Sequence, residues 1–187
     1  MRMKFIVPLA LMGAALSGCV TAPLPAGTPA PTEASAYRLG PGDKLRITTF
    51  NEPNLSGEFV IAGSGAVAMP LAGDIPARGL TPSELQQAIA NRLETGGFVR
   101  SPQVSAEVIE YRPYYILGEV TKPGQYPFTI GLTVSKAVAT AGGFTYRANQ
   151  RKVLITKDGS TQEIEVQLTA STPIGPGDTV RIAERYF

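Results

Sequence analysis

Gly40-Pro41-Gly42-Asp43-Lys44-Leu45-Arg46-Ile47 and Gly175-Pro176-Gly177-Asp178-Thr179-Val180-Arg181-Ile182 are one phrase written twice. Six of its eight positions are identical, and the exchanges, Lys44 for Thr179 and Leu45 for Val180, are mild. Pro41 or Pro176 fixes φ at the second position of a type II turn, and Gly42 or Gly177 supplies the positive φ needed at the third. Asp43 or Asp178 is then placed to accept a hydrogen bond from a nearby backbone N–H as the chain leaves the turn. Beyond it, Leu45 and Ile47 alternate with Lys44 and Arg46, and Val180 and Ile182 with Thr179 and Arg181, the period of a half-buried strand. Locally each copy is a turn that starts a strand. One copy opens the folded region and the other nearly closes it.

Between them the chain divides at about residue 110. In the first part, strand Lys44–Phe50 leads into the turn cluster Asn51-Glu52-Pro53-Asn54. Glu58–Ala62 and Ala66–Met69 read as two strands joined by Gly63-Ser64-Gly65. Thr81-Pro82-Ser83-Glu84 is a helix start: Thr81 caps, Pro82 takes the first helical position and Glu84 completes a capping box. Leu85, Ala88, Ile89 and Leu93 form the apolar face, and Gly96-Gly97 ends the helix. Gln103–Ile109 alternates again.

In the second part, Tyr114–Val120 and Gln125–Phe128 flank the turn Thr121-Lys122-Pro123-Gly124. Thr133 caps a short helix whose Val134, Ala137, Val138 and Ala141 share a face. Lys152–Thr156 and Thr161–Gln167 flank the hairpin turn Lys157-Asp158-Gly159-Ser160. The second copy of the phrase adds the last strand. This order predicts a β-grasp-like α+β domain.

The chain has 187 residues, 43% of them hydrophobic, with 20 Gly and 16 Pro. That is enough for one or two small, turn-rich domains. One Cys and no His exclude a Cys/His metal site, a Ser-His-Asp or Cys-His nucleophile and an internal disulfide. No metal and no cofactor is expected.

The N-terminus reads as an address. Two basic residues, Arg2 and Lys4, precede an apolar run from Phe5 to Leu16 and then Ser17-Gly18-Cys19, a secretory signal peptide. The run is too short for a permanent span, which needs about 20 residues. Removing it takes the 17 basic residues to 17 − 2 = 15, against 15 acidic ones. A neutral mature chain has no electrostatic footprint for nucleic acid. Val20–Ala36, with four Pro among small residues, reads as an extended tether reaching about 50 Å at ~3.1 Å per residue.

Leu16-Ser17-Gly18-Cys19 resembles the lipobox of bacterial lipoproteins. The resemblance implies that Cys19 carries the lipid that anchors the protein to the membrane. Val20 in place of Asp leans towards the outer membrane.

The set YRLGPGD (37–43), Leu80-Thr81-Pro82 and Ser101-Pro102-Gln103-Val104 resembles the export domain of Wza-type polysaccharide export proteins of the bacterial outer membrane. YILGEVTKPGQYPF (115–128) and TVSKAVATAGGF (133–144) resemble the SLBB domain, a soluble ligand-binding β-grasp, that follows it in that family. The organisation expected is a signal peptide (1–18), a lipidated Pro/Ala-rich tether (19–36), a polysaccharide export domain (37–110) and an SLBB domain (111–187).

The resemblance implies a non-enzymatic role. Homo-oligomeric rings, an octamer among them, would enclose a path for capsular or exopolysaccharide. An inner-membrane chain-length regulator or tyrosine kinase would meet one face. The chain stops at ERYF, soon after Ile182, without the amphipathic pore helix of full-length relatives. The expectation is therefore a periplasmic-face ring that hands polymer to a separate outer-membrane β-barrel.

Site residues are expected to be structural: Gly40, Pro41, Gly42 and Asp43, Lys122, Pro123 and Gly124, and Gly175, Pro176, Gly177 and Asp178 set loop geometry. Tyr114, Tyr126 and Tyr146 are candidates for saccharide or subunit contact, although aromatic residues more often fill a core. Two other readings stay open. One is a monomeric β-grasp lipoprotein that binds a small ligand. The other is a polysaccharide-modifying enzyme using paired carboxylates such as Glu52 and Asp74.

Overall fold

The computed structural model describes residues 37–185; the signal peptide, Cys19 and tether assignments fall on residues 1–36, outside them. The described residues form an α+β fold of ten strands and two α-helices.

In the first part, β1 (Lys44–Thr49) lies between β2 (Gly57–Val60) and β5 (Val104–Glu110), antiparallel to both. Leu45 and Ile47 of β1 are fully buried, whereas Lys44 and Arg46 face Glu58 from the outer side at 2.9 and 3.3 Å. A separate pair, β3 (Ala66–Met69) and β4 (Gly73–Pro76), completes this part. Helix α1 (Pro82–Thr95) covers the apolar face with Leu85, Ile89 and Leu93, all fully buried. Its start is the anticipated capping box: the Glu84 N–H donates to Thr81 Oγ1 at 3.2 Å, and the Thr81 N–H to Glu84 Oε2 at 2.7 Å. Two orphan donors of the first turn are thereby satisfied.

The second part is a five-stranded sheet in the order β7-β6-β10-β8-β9. Its members are β6 (Tyr114–Gly118), β7 (Gly124–Tyr126), β8 (Lys152–Thr156), β9 (Glu163–Gln167) and β10 (Thr179–Ile182). β10 runs parallel to β6 and antiparallel to β8. Helix α2 (Val134–Thr140) closes the core over Tyr114, Ile116, Val180 and Ile182.

Both copies of the repeated phrase thus launch the middle strand of a sheet. A middle strand has ladder partners on both edges, and its alternate side chains reach the centre of the core. Two cores result, one from residues 39–106 and one from residues 114–182.

The strands around Gly63-Ser64-Gly65 differ from expectation. The turn is present, with Gly65 N–H donating to Ala62 O at 2.8 Å. Its flanking strands nevertheless join different ladders, β2 with β1 and β3 with β4. β4 itself, Gly-Asp-Ile-Pro, is made of poor strand formers apart from Ile75. It is a strand because Ile75, 3% exposed, plugs the core opposite Val67.

Replacing Ile47 by Ala should cost about 3 kcal/mol, because a fully buried side chain leaves a cavity. Val60→Ala, at a residue 55% exposed in the neighbouring strand, should stay within about 0.5 kcal/mol. Urea unfolding midpoints at constant slope distinguish the two.

Candidate functional site

The two repeated turns are built alike down to the atoms of their carboxylates. Asp43 N–H donates to Gly40 O at 3.1 Å and Asp178 N–H to Gly175 O at 3.3 Å, closing each turn. Gly42 (φ 93°) and Gly177 (φ 81°) occupy the left-handed position that a type II turn requires.

Each Asp then turns back on its own loop. Asp43 Oδ2 accepts from Gly40 N–H at 2.8 Å, and Asp178 Oδ2 from Gly175 N–H at 2.7 Å. The other oxygen accepts a backbone N–H from a distant segment: Arg112 at 3.0 Å for Asp43, and Asp158 at 3.2 Å for Asp178. A cation completes each set. Arg112 Nη1 lies 3.0 Å from Asp43 Oδ2, and Lys157 Nζ lies 2.7 Å from Asp178 Oδ2.

The sequence assigned these carboxylates a purely local bond made as the chain leaves the turn. The local bond instead runs backward to the first residue of the phrase, and each carboxylate also reaches residues far along the chain.

The two sets are also joined to each other. Arg112 Nε lies 3.1 Å from Asp158 Oδ2, a charge contact whose N–H is not aligned for a hydrogen bond. One chain of hydrogen bonds and charge contacts therefore links Asp43, Arg112, Asp158 and Asp178. It is mostly dry: the Asp43 side chain is 0% exposed and that of Arg112 14%. Gly40 makes room for it, since a Cβ there would stand 2.7 Å from Arg112 Nη1.

Tyr37 adds a fourth donor to Asp43, its hydroxyl 2.5 Å from Oδ2. Burial, and then the adjoining Asp43 carboxylate, push the Tyr37 hydroxyl far above the usual tyrosine value. Its ring packs edge-on against Tyr111 at 4.9 Å, and Tyr111 against Phe128 at 5.7 Å. An aromatic strut thus runs beside the charged one.

Sequence reasoning missed Tyr37, Arg112, Lys157 and Asp158 as members of this joint. Arg112 stands alone between Tyr111 and Pro113 in a short connection, with no pattern to mark it. Lys157 and Asp158 were legible only as a hairpin turn.

The other candidates lie apart from it. Lys122, Pro123 and Gly124 lead into β7, where the Tyr126 hydroxyl donates to Lys122 O at 2.6 Å and Lys122 N–H to Ala141 O at 2.8 Å. Tyr114 is corrected: at 1% exposure it is a core residue stacked on Tyr126 and offers no surface to a sugar. Tyr146 is 84% exposed. Glu52 and Asp74 sit on separate elements, the turn after β1 and β4. The close partners of Asp43 and Asp178 among the described residues are protein donors, and they brace the two turns against distant segments.

Comparison with known proteins fits this two-part plan. Residues 31–109 match the polysaccharide biosynthesis/export protein family and residues 113–165 the SLBB domain. The chain belongs to the polysaccharide export family. Among its relatives, the exopolysaccharide production protein ExoF of Rhizobium meliloti is 33% identical over 81% of this chain and 35% of its own length. The EPS I polysaccharide export outer membrane protein EpsA of Ralstonia nicotianae is 27% identical over 82% of this chain and 49% of its own. The capsule polysaccharide export outer membrane protein CtrA of Neisseria meningitidis serogroup A is 27% identical over 62% and 30%. This export-family chain therefore spans a third to a half of the curated relatives it matches. In it Arg112 lies in the gap between the export and SLBB matches, residues 110–112.

Asp43→Asn should destabilise the protein by about 3 kcal/mol, because it leaves a largely buried guanidinium short of a counter-charge. Asp158→Asn, at a side chain 43% exposed, should cost less. Chemical denaturation measures both.

The Tyr37 shift gives a sign on the alkaline side. The unfolded chain releases this proton near pH 10 and the folded one only well above that. Stability is therefore intact below pH 10 and falls as pH rises past it. Tyr37→Phe should be less stable than the parent at neutral pH but show a shallower decline above pH 10, read from unfolding midpoints across that range.

Proposed function

We propose that this chain is a non-enzymatic export component. It is held by a lipid on Cys19 at the periplasmic face of the outer membrane. Several copies assemble side by side into a ring around a path for capsular or exopolysaccharide.

The observation that carries this reading is the ordered pair of export and SLBB matches, together with relatives named as polysaccharide export proteins. The domain limits proposed are 37–110 and 111–187, and the tether would let both stand off the bilayer. A brace between the two cores suits a ring subunit. A head-to-tail interface closes into a ring only if every copy repeats the same rotation, and a loose hinge between domains would spread that angle. The polymer would leave through a separate outer-membrane β-barrel, and an inner-membrane chain-length regulator or tyrosine kinase would meet the opposite side. Lipid attachment fits permanent residence, since each buried methylene adds ~0.8 kcal/mol.

Deleting the gene should leave polymer accumulating inside the cell envelope while its synthesis continues. Cys19→Ser should release the protein from the membrane fraction and reduce surface polymer. Normal secretion in the deletion strain is the result that overturns this reading.

A further inference from the structure

Three non-glycine residues among those described have positive φ: Asn51 (60°), Leu71 (62°) and Ser101 (49°). All three line clefts beside the exposed ring of Phe98. Asn tolerates this conformation, but Leu and Ser do so at a cost. At Leu71 the chain makes a tight three-residue turn, Ala72 N–H donating to Pro70 O at 2.7 Å, and Arg92 Nε secures it by donating to Ala72 O at 3.1 Å. The turn leaves Leu71 64% exposed. Backbone strain of this kind clusters at functional sites in folded proteins, which directs attention to these clefts.

The larger cleft, about 330 Å³, has Phe50 (69% exposed) and Phe98 (46% exposed) among its lining residues. It also includes Asn51, Glu52, Arg100 and Gln103. None of these four polar side chains has a hydrogen-bond or ion-pair partner among the described residues. Phe50 N–H donates to Gln103 O at 2.9 Å, which ties the two walls together. A second cleft, about 300 Å³, shares Phe98 and is lined by Leu71, Arg92 and Thr95. Both volumes fall within the range of small-ligand sites, about 300–1,000 Å³. Phe98 owes its position to Gly96: a Cβ there would stand 2.3 Å from the ring.

From this we infer that the two clefts form a saccharide track on the export domain, with Phe98 between successive sugar units. The inference rests on the export reading and gives it a site. A pyranose has an apolar C–H face and an edge of hydroxyls. Exposed aromatic faces meet the first. Unengaged amide, carboxylate and guanidinium groups, offering donors and acceptors together, meet the second. A covering protein surface suits the site less well, because it would bury Glu52, and interfaces are depleted of Glu. The clefts are open, as a conduit requires: its contacts must let the cargo leave.

The probe is a set of short oligosaccharides from partial hydrolysis of the producing strain's own exported polymer. It is titrated into the full-length protein and followed by saturation-transfer and amide chemical-shift NMR. Saturation should pass to pyranose C–H protons, and amides at residues 50–52, 71–72 and 98–103 should shift. Phe50→Ala and Phe98→Ala, both at exposed positions and checked for fold by circular dichroism, should weaken binding about tenfold, the loss of one covered ring face. Gly96→Ala should weaken it by displacing the ring, and Phe98→Tyr should retain it.

The inference is overturned if millimolar oligosaccharide gives no transfer, or if the Ala variants bind as the parent does. It is also overturned if those variants change only the oligomeric mass, which would assign the surface to a second copy of the chain. Each of these results leaves the export reading standing, since that depends on whether the deletion strain traps its polymer.

Discussion

The Arg112 guanidinium lies between two carboxylates, Asp43 Oδ2 at 3.0 Å and Asp158 Oδ2 at 3.1 Å, and the rest of the described structure hangs on that contact. Asp43 sets where β1 begins. Asp158 presents the backbone N–H that holds Asp178, which sets where β10 begins. A buried charge is costly unless paired, and removing one partner costs more than the pair contributes in net stability. That asymmetry turns a few polar atoms into a positional constraint. The cores can settle only where Arg112 keeps its partners, and the Tyr37–Tyr111–Phe128 contacts fill the space alongside with apolar area.

The repeated phrase shows one local solution used in two different sheets. In the first it feeds a strand with antiparallel neighbours on both sides, and in the second a strand parallel to one neighbour and antiparallel to the other. The common demand is for a strand start that cannot slip. A one-residue slip would turn Leu45 and Ile47, or Val180 and Ile182, away from their cores. The carboxylate prevents it by grasping its own turn and a distant segment at once. Edge strands have no such device: β7 and β9 each pair on one side only. The strained loops around Phe50, Leu71 and Phe98 add a surface whose form the folding of the core does not explain.

Some of this was legible residue by residue. The type II turns, the Thr81–Glu84 capping box, the apolar stripe of α1 and the alternation in β1 and β10 all depend on torsional preference and period within a few consecutive positions. Order along the chain carried the family as well. The reading failed where the deciding partner lay elsewhere. The weak sequence of β4 became a strand because Val67 and the core had room for Ile75. Tyr114, a candidate contact residue alongside Tyr126 and Tyr146, proved to be interior.

By itself, then, the sequence determined the turns, the caps, the α+β class and the export lineage, because each is written in adjacent residues or in their order. Tertiary structure alone decided what the two Asp residues hold. Asp43 meets Arg112 across 69 positions, and Asp178 meets Asp158 across 20. No local preference encodes such a meeting. It exists only once the folded sheets have brought a carboxylate into reach of a guanidinium or a backbone N–H from a distant segment.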